Sequence, residues 1–560
     1  MESAPFNQIP TPRPDREVLL ERARALQQDF DDTPDAEGQI ALLRAWDRGR
    51  RGVRTGRVMA DIRFSIDTRD EVSVANRDFY DQLGPTLESE DVEFLRKVLA
   101  SPNRPAFAAT FGEHALRLWE VYLSAFDARI ADDKRKESEL VSRYYALTAS
   151  VRVQFDGKEQ NLSMLRGYFG HADRAVRRGA AHAMDAAMLN IQDQLDALYA
   201  ELVALRHGMA GKLGYDSYTP MAYAKLSRTD YGPAEVERFR AEIRQHVVPL
   251  ATEIRQRHAR ALGLDDYSWY DEQVRDSLGV PRPKGDAEWM SEQAARMFQQ
   301  IGPDFATFYS TLRSRGLMDL PSRDGKAGGG FCDVLPDLNA PFVFANFNGS
   351  QDDVIVFTHE CGHAFQMWSS LDQPLLDYFN PTLEACEIHS MGLEFLSYPY
   401  MELFFGDDAE RFRVGHLEDA ILFLPYAAAV DEFQHRIYAE PAASPQRRTE
   451  LWREVESIYL PHRRYEGMPF CASGRLWQRQ LHLFAEPFYY IDYALAQVCA
   501  LQLGLRARQD PAGTMASYRQ LCRMGGSKPF TGLLRAVGLD SPLDSGVAGR
   551  VVRAVAADLG

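Results

Sequence analysis

Amphipathic stretches with helical spacing run along most of this sequence and limit its fold more than any other feature. Apolar residues recur at intervals of three and four in segments such as 15–30, 114–126, 174–214 and 234–263. Strong helix formers fill these segments, and proline lies mostly at their edges, where it does not interrupt a helix. The sequence therefore predicts a mainly α fold with few strands.

Two short regions have the pattern of strands instead. Residues 149–165 alternate on either side of Asp156-Gly157, a pair that is typical of a tight hairpin turn. Residues 341–347, "PFVFANF", lie between the glycine-rich "DGKAGGGF" and the turn-rich "NGSQDD". We expect a small hairpin in the first region and a single strand in the second.

Length and composition suggest more than one lobe. A chain of 560 residues, 45% apolar and 26% charged, can bury a large core. There is no internal repeat at a fixed period. After the hairpin, a long helical series restarts near residue 170. We therefore place an N-terminal helical domain with the hairpin at 1–170 and a second domain at 171–560.

Charge and cysteine usage exclude some classes of function. The net charge of −16 argues against nucleic-acid binding, and the basic run at 48–57 has the character of a solvated helix face. No run of about 18 apolar residues predicts a membrane span, and the first residues lack a signal-peptide pattern. Six scattered cysteines without CxxC spacing suit reduced thiols. We expect a cytoplasmic protein.

The stretch at 354–368, "VIVFTHECGHAFQMW", contains an HExxH motif. On a helix, His359 and His363 lie one turn apart on one face, so both imidazoles can reach one zinc ion at about 2.0–2.1 Å. Glu360, next to that face, can reach a zinc-bound water without binding the metal itself. The alternative is that both histidines only pack within a helix.

A second acidic segment offers the third ligand that a hydrolytic zinc site needs. In "NPTLEACEIHSMGLEFLSYP", a helix is expected after Asn380-Pro381, and Glu387 and Glu394 share one face of it. Glu387 follows His363 by 24 residues, enough chain for the first helix to end and the next to return antiparallel. We predict Glu387 as the third zinc ligand and Glu394 as an acceptor that orients a histidine ring.

Together these residues resemble a known family. HExxH followed about 25 residues later by E-x-x-S-x-x-x-E is similar to the M3 metallopeptidases, the group of thimet oligopeptidase and oligoendopeptidase F, and more to the second branch. The resemblance is strong over 320–500, where it includes 329–365 and the tyrosine-rich 482–497, and it is fainter elsewhere. Cys361 departs from the bulky apolar residue usual there, and its side chain should point away from the metal.

The resemblance implies a fold and an activity. The fold would be a two-lobed, mostly helical body around a deep channel, with a zincin-type active site on the floor and a short edge strand beside it. Residues 171–560 would form the M3-type catalytic domain. The activity would be that of a zinc-dependent oligoendopeptidase with one Zn²⁺ per chain, which cleaves internal bonds of short, unstructured peptides. Glu360 would be the general base that takes a proton from the attacking water.

The tyrosine-rich segment is expected to contact the substrate. By likeness to the family helix, His482, Tyr490 and Tyr493 contact the substrate or its oxyanion, with Tyr490 as the leading donor. Tyr489 is the alternative if the register is displaced by one residue. Aromatic packing in a core would explain the same pattern without any role in catalysis.

Some residues support weaker expectations. Phe344, Ala345, Asn346 and Phe347 could bind the peptide backbone by strand addition, although an ordinary buried strand has the same pattern. His389 is expected to face another side of its helix. The sequence suggests no partner for two further histidines, His435 and His462.

Two rival functions stay open. A helical scaffold could keep zinc for stability, but an intact Glu360 and only three protein ligands argue against a closed structural site. An exopeptidase, such as a dipeptidyl carboxypeptidase, would share the zinc chemistry and add a residue that holds a chain end. The sequence identifies no such residue, and it does not indicate the oligomeric state.

Overall fold

The computed structural model describes residues 4–557 and is mostly helical, which confirms the predicted fold class. The N-terminal helices are α1 Arg16–Asp32, α2 Ala36–Ile66, α3 Glu71–Ala100, α4 Arg104–Phe111, α5 Glu113–Ala125, α6 Ala131–Ala149 and α7 Leu162–Gly167. The middle helices are α8 Arg174–Leu189, α9 Gln192–Lys212, α10 Tyr218–Lys225, α11 Pro233–Glu242, α12 Val248–Ala261, α13 Ala287–Ile301 and α14 Pro303–Ser314.

The remaining helices follow a small sheet. They are α15 Gln351–Ser369, α16 Leu383–Leu396, α17 Glu402–Phe405, α18 Ala409–Ala439, α19 Pro445–Tyr459, α20 Pro469–Ala472, α21 Leu481–Ala485, α22 Tyr490–Gln509, α23 Pro511–Met524, α24 Phe530–Ala536 and α25 Val547–Ala557. Among all these helices, α16 packs most extensively, lying between α15 and α22. α16 starts directly after Asn380-Pro381, as predicted.

The predicted hairpin is present. β1 Val153–Phe155 pairs antiparallel with β2 Lys158–Gln160. The turn residues Asp156 and Gly157 have φ values of 54° and 69°, the left-handed conformation that a two-residue hairpin turn requires. Asp-Gly is suited to this turn because both residues adopt positive φ more readily than most.

A three-stranded sheet lies beside α15. It comprises β3 Met318–Pro321, β4 Phe331–Leu335 and β5 Ala340–Phe347, in the order β3-β5-β4. The predicted strand at 341–347 is confirmed as β5. It is the central strand, parallel to β3 and antiparallel to β4. β5 is therefore internal, and β4, which packs beside α15, is an edge strand of the kind that the resemblance implies.

The hydrophobic core crosses the predicted domain boundary. One cluster of buried residues joins Phe6 and Val58, near the start of the chain, to the helices that follow residue 170. A second cluster lies among the N-terminal helices around Trp46 and Trp119. Leu375 and Tyr378, from the connection between α15 and α16, complete it. The two-domain division at residue 170 stays a prediction.

The basic run on α2 does more than contact solvent, so that interpretation was wrong for its central residues. Arg50 donates to both carboxylate oxygens of Asp377, at 2.8 and 2.9 Å. Arg54 donates to Asp333 on β4 at 2.7 Å. Bidentate arginine–carboxylate pairs fix orientation as well as distance. These contacts attach the N-terminal helix α2 to the sheet and to the connection that leads into α16.

Within residues 4–557, none of the helices is both long and apolar enough to cross a membrane.

Candidate metal centre and active site

Three predicted zinc ligands meet at one point. The side chains of His359, His363 and Glu387 each offer a ligand atom, and these atoms all lie within 4.8 Å of one another. The Oε2 atom of Glu387 is 3.2 Å from Nε2 of His359 and 3.5 Å from Nε2 of His363. Two imidazoles and one carboxylate are a donor set typical of catalytic zinc. The arrangement fits a zinc ion, and zinc binding by these three residues stays a prediction.

The close approach of α15 and α16 depends on the glycine inside HExxH. A Cβ atom at Gly362 would lie 2.5 Å from the backbone oxygen of His389 and 2.7 Å from Cα of Ser390. Those distances are far below van der Waals contact, so only glycine fits between the two helices. The missing side chain lets the backbones approach closely enough for Glu387 to reach both histidines.

A chain of hydrogen bonds fixes the His359 ring. Nδ1 of His359 lies 2.7 Å from Oε1 of Glu394, as the sequence predicted. The other oxygen of Glu394 lies 2.8 Å from Nε2 of His416, whose Nδ1 is 2.8 Å from the hydroxyl of Tyr398. The bond to Glu394 leaves Nε2 of His359 facing Glu387, the orientation that metal binding requires.

The electrostatics of this cluster suit a cation. Burial opposes ionisation of Glu394, but hydrogen bonds from His359 and His416 outweigh it and lower the pKa of Glu394 to about 2. Burial likewise disfavours the charged form of His359, yet its bonds to Glu387 and Glu394 hold the pKa of His359 well above its usual value. Two buried carboxylates facing two histidines form a site whose electrostatics suit a bound cation.

Glu360 lies next to this cluster without joining it. It is 7% exposed, and its Oε2 atom has no hydrogen-bond partner within the described chain. Burial raises the pKa of Glu360, while the nearby His359 and His363 oppose the rise. A buried carboxylate oxygen without a partner is unusual in a folded protein and is expected where a substrate or water binds.

A turn directly before α15 is hydrogen-bonded to the first turn of this helix. Gly349 has φ of 86°, a conformation that favours glycine. The backbone N–H groups of Asn348 and Gly349 donate to Asp353, at 2.9 and 2.6 Å respectively. This "NG" turn therefore joins the central strand β5 to α15 and places the helix directly beside the sheet.

The cysteines and the other histidines lie outside the metal cluster. All six cysteines are free thiols, and Cys361 is fully buried on α15. His389 is fully buried near Tyr518, with a ring centroid separation of 6.4 Å. His435 lies 3.5 Å from Asp431, and His462 lies 3.3 Å from Glu272, partners that the sequence did not suggest.

The tyrosine-rich segment contacts the candidate metal centre through Tyr489 and not through Tyr490, the residue expected to be the main donor. The hydroxyl of Tyr489 donates to Oε1 of Glu387 at 2.9 Å. The rings of Tyr490 and Tyr493 lie 4.9 and 5.9 Å from the ring of His482. All four side chains are half-buried. Tyr489, predicted only as an alternative, contacts a candidate ligand directly.

The backbone before Tyr489 is strained and held from outside. Phe488 has φ of 68°, which is rare for a bulky residue. Its N–H donates to Oε1 of Gln434 at 2.7 Å, and its carbonyl accepts from Nη2 of Arg228 at 2.6 Å. Asp492 forms an ion pair with the same arginine. These buried contacts aim the tyrosine hydroxyl at Glu387.

The predicted substrate strand is positioned differently from the expectation. Phe344 and Ala345 are fully buried, and Phe347 is nearly so. Asn346 uses its side-chain amide to bond the carbonyls of Ala327 and Gly329 at 2.8 and 2.7 Å. β5 lies between β3 and β4, but β4 pairs with it only as far as Phe344. Phe344 is therefore paired on both sides and cannot accept a peptide strand, whereas strand addition at Ala345, Asn346 and Phe347 stays a prediction.

The edge strand β4 is better placed for a peptide. Among the described strands, it pairs only with β5. A Cβ atom at Gly330, directly before β4, would lie 3.3 Å from Oε1 of Glu360. The glycine-rich approach to β4 thus passes close to the candidate base.

Sequence reasoning missed several supporting residues. His416 lies in α18, and both Gln434 and Arg228 lie far from the motif along the chain. None of them has a spacing relation to HExxH. Only the packing of α10, α16, α18 and α22 brings them to the site.

Comparison with known proteins gives the family. The profile of peptidase family M3 matches residues 168–550, and that of the peptidase M3 N-terminal domain matches residues 6–126. An oligoendopeptidase F homologue of Lactococcus lactis subsp. lactis is 21% identical over 404 residues, which cover 68% of this chain. The match covers 63% of the Lactococcus protein, so the chain spans less than two thirds of that relative's length.

Solved structures agree over nearly the whole chain. A structure of Pz peptidase A with an inhibitor is 38% identical, has a TM-score of 0.94 and covers 99% of both chains. A provisionally named oligoendopeptidase F from Bacillus anthracis is 35% identical, with a TM-score of 0.90 over 99% of this chain and 98% of that one. The chain belongs to peptidase family M3, in its oligoendopeptidase F branch.

Proposed function

We propose that this protein is a zinc-dependent oligoendopeptidase that hydrolyses internal bonds of short, unstructured peptides in the cytoplasm. One observation carries the proposal: His359, His363 and Glu387 converge, and the unpartnered oxygen of Glu360 is buried beside them. Family membership supports peptide hydrolysis. The six free thiols suit a reducing compartment.

The residues divide into two chemical roles. His359, His363 and Glu387 would hold zinc, which lowers the pKa of a water and polarises the scissile carbonyl when it is bound. Glu360 takes a proton from the attacking water and returns it to the leaving amine. Burial raises the pKa of Glu360, which suits a group that has to accept a proton.

The aromatic segment supplies donors for the developing charge. Burial raises the pKa of Tyr490 and Tyr493, so both hydroxyls stay protonated and able to donate near neutral pH. We assign Tyr490, Tyr493 and His482 to the substrate or its oxyanion, and Tyr489 to orienting Glu387. The contact of Tyr489 with Glu387 is the reason for this division.

Substrate size follows from the geometry of strand addition. A peptide that adds to the edge of β4 must be extended, and it would pass close to Glu360. A folded protein cannot supply several extended residues there without unfolding locally, which costs conformational entropy. Short, unstructured peptides satisfy this requirement, so we expect folded proteins to resist cleavage.

Replacing the base tests the proposal. Glu360→Gln should fold and keep one zinc per chain, but kcat should fall by about 10²–10⁴, the usual contribution of a general base. Glu360→Asp should also be slow because the shorter carboxylate is displaced. Metal analysis and initial rates on fluorogenic peptides measure both quantities. A matched control is Glu456→Gln, since Glu456 is also buried with a raised pKa but contacts Tyr465 instead.

Three outcomes would contradict the proposal. Wild-type rates in Glu360→Gln would show that another group is the base. Loss of zinc from that variant would make Glu360 a ligand. Efficient digestion of a folded protein would refute the size limit.

A further inference from the structure

Arg479 is a half-buried cation without an acidic partner. Within residues 4–557, it forms neither an ion pair nor a hydrogen bond, and its guanidinium lies 5.4 Å from the ring centroid of Trp269. The neighbouring Arg463, in contrast, bonds Glu272 at 3.0 Å. A desolvated, unpaired guanidinium is costly, so its retention suggests that an anion binds there at some stage.

Arg479 directly precedes a residue that contacts the aromatic groups proposed to bind the substrate. The next residue, Gln480, lies 2.7 Å from Nδ1 of His482 through its side-chain nitrogen. The side-chain oxygen of Gln480 accepts from the hydroxyl of Tyr426 at 2.9 Å. The ring of Tyr426 lies 5.8 Å from that of Tyr490, edge to face. Arg479 is therefore next in sequence to a residue that contacts His482, and Tyr426 connects that residue to Tyr490.

A second unpaired arginine acts on the same groups. Arg166, exposed at the end of α7, also has no ion pair within the described chain. Burial raises the pKa of Tyr426, and the charges of Arg463, Arg479 and Arg166 oppose that rise. Burial and the charge of Arg166 both lower the pKa of Arg479. Two arginines without ion pairs in one region favour the binding of an anion there.

The acids around these arginines do not neutralise both of them. Asp352 is near enough to feel the charge of Arg166, but it forms no ion pair with it. Oε1 of Glu456 accepts from the hydroxyl of Tyr465 and lies 3.7 Å from Nη1 of Arg463, so it belongs to a neighbouring pair. The protein as a whole is acidic, so an uncompensated pair of arginines at this place is a local exception.

We propose that Arg479, assisted by Arg166, binds a carboxylate of the peptide substrate. This inference rests on the proposed peptidase function and adds a specificity to it. The carboxylate can be the C-terminus of the peptide or an Asp or Glu side chain. Guanidinium groups suit this role because their planar donors bond a carboxylate with two parallel hydrogen bonds.

Kinetics on matched peptides test the site. Peptides with a free C-terminus are compared with their amides, in Arg479→Gln, Arg166→Gln and the wild type. Arg479→Gln should raise KM for the free acid about tenfold, the usual effect of losing a charge-assisted hydrogen bond, and should change KM for the amide little. Arg479→Lys keeps the charge and should recover part of the loss. Arg178→Gln, an exposed arginine on α8, is the control.

A second peptide set separates the two sources of carboxylate. Asp or Glu is replaced by Asn or Gln at one position at a time, and products are identified by mass spectrometry. A C-terminal carboxylate would set the cleaved bond at a fixed distance from the chain end, as in a dipeptidyl carboxypeptidase. A side-chain carboxylate would move the cleaved bond with the acidic residue.

Equilibrium binding keeps this inference separate from the proposed function. Acid and amide peptides are titrated into Glu360→Gln with and without Arg479→Gln, so turnover is not needed. Selective loss of affinity for the acid supports the carboxylate site, even if the wild type proves inactive as a peptidase. Equal affinity of acid and amide peptides, or no detectable binding of either, would overturn it. An inactive wild type that binds acids selectively would refute only the proposed function.

Discussion

The metal-ligand candidates and the tyrosines reach one centre by different means. His359, His363 and Glu387 lie inside two regular helices, α15 and α16, where spacing along the chain sets which side chains share a face. Tyr489 lies just before α22 and directly after the strained Phe488. A regular helix converts sequence spacing into geometry, whereas an irregular segment takes its geometry from the elements that hold it.

The residues that hold the two regions in place also differ in their distance along the chain. The two helices approach through Gly362, a residue inside the motif itself. The backbone of Phe488 is held by Gln434 and Arg228, which are distant along the chain. The comparison suggests that mutations at the helices remove the metal, while mutations around the tyrosine segment slow the reaction and leave the metal bound.

The largest effect is expected at the helices. His363→Ala should lose the zinc ion and lower activity by about 10³-fold or more, because two remaining ligands cannot hold the metal in a catalytic geometry. Metal analysis of the purified variant measures the loss. The control is His389→Gln on α16, a buried histidine outside the ligand set, which should keep its zinc. Full zinc retention in His363→Ala would show that metal binding does not depend on this helix residue, contrary to the comparison.

Substitutions of the tyrosines should have the second-largest effect on activity. Tyr490→Phe and Tyr493→Phe should lower kcat by about 10²-fold and raise KM less, because a donor to the oxyanion acts chiefly in the transition state. Tyr489→Phe should also weaken zinc binding, since it removes the hydroxyl that orients Glu387. Steady-state kinetics and competition with a chelator measure these effects. Unchanged kcat in both Tyr490 and Tyr493 variants would assign that helix to aromatic packing.

Loss of the hydrogen bond between Glu394 and His359 should have a smaller effect on metal binding. Glu394→Gln should reduce zinc affinity about 10–100-fold because the His359 ring loses its ionised acceptor. The control is Glu418→Gln on α18, which breaks a similar buried pair, with His258 at 2.8 Å, away from the centre. Zinc affinity is measured by titration with a metal buffer. Equal loss in both variants would indicate general destabilisation.

The smallest effect is expected at the support of the strained residue. Gln434→Leu removes the acceptor for the Phe488 N–H and should lower kcat about fivefold to tenfold, since catalysis is sensitive to small displacements. Zinc content should not change. Gln497→Leu, a substitution of another buried glutamine on α22, should behave as wild type. If Gln434→Leu instead loses zinc, the tyrosine segment and the metal helices are not separable.

Much of the site could be predicted from local spacing. HExxH, the start of α16 after Asn380-Pro381 and the shared face of Glu387 and Glu394 all depend on helical periodicity, and the structure brings those side chains together. The hairpin followed from Asp156-Gly157, a pair with one favoured turn. Each of these inferences needs only a few neighbouring residues.

Other features depended on which elements pack together. The central position of β5, the ion pair between Arg50 and Asp377, and the bond from His416 to Glu394 join parts of the chain that no periodicity relates. The choice of Tyr489 over its neighbour, and the unpaired Arg479, depend likewise on distant residues. The sequence by itself determined the helices and the ligand pattern, because both follow from local backbone geometry. Only the tertiary structure decided the partners, since those arise from many weak contacts summed over the whole core.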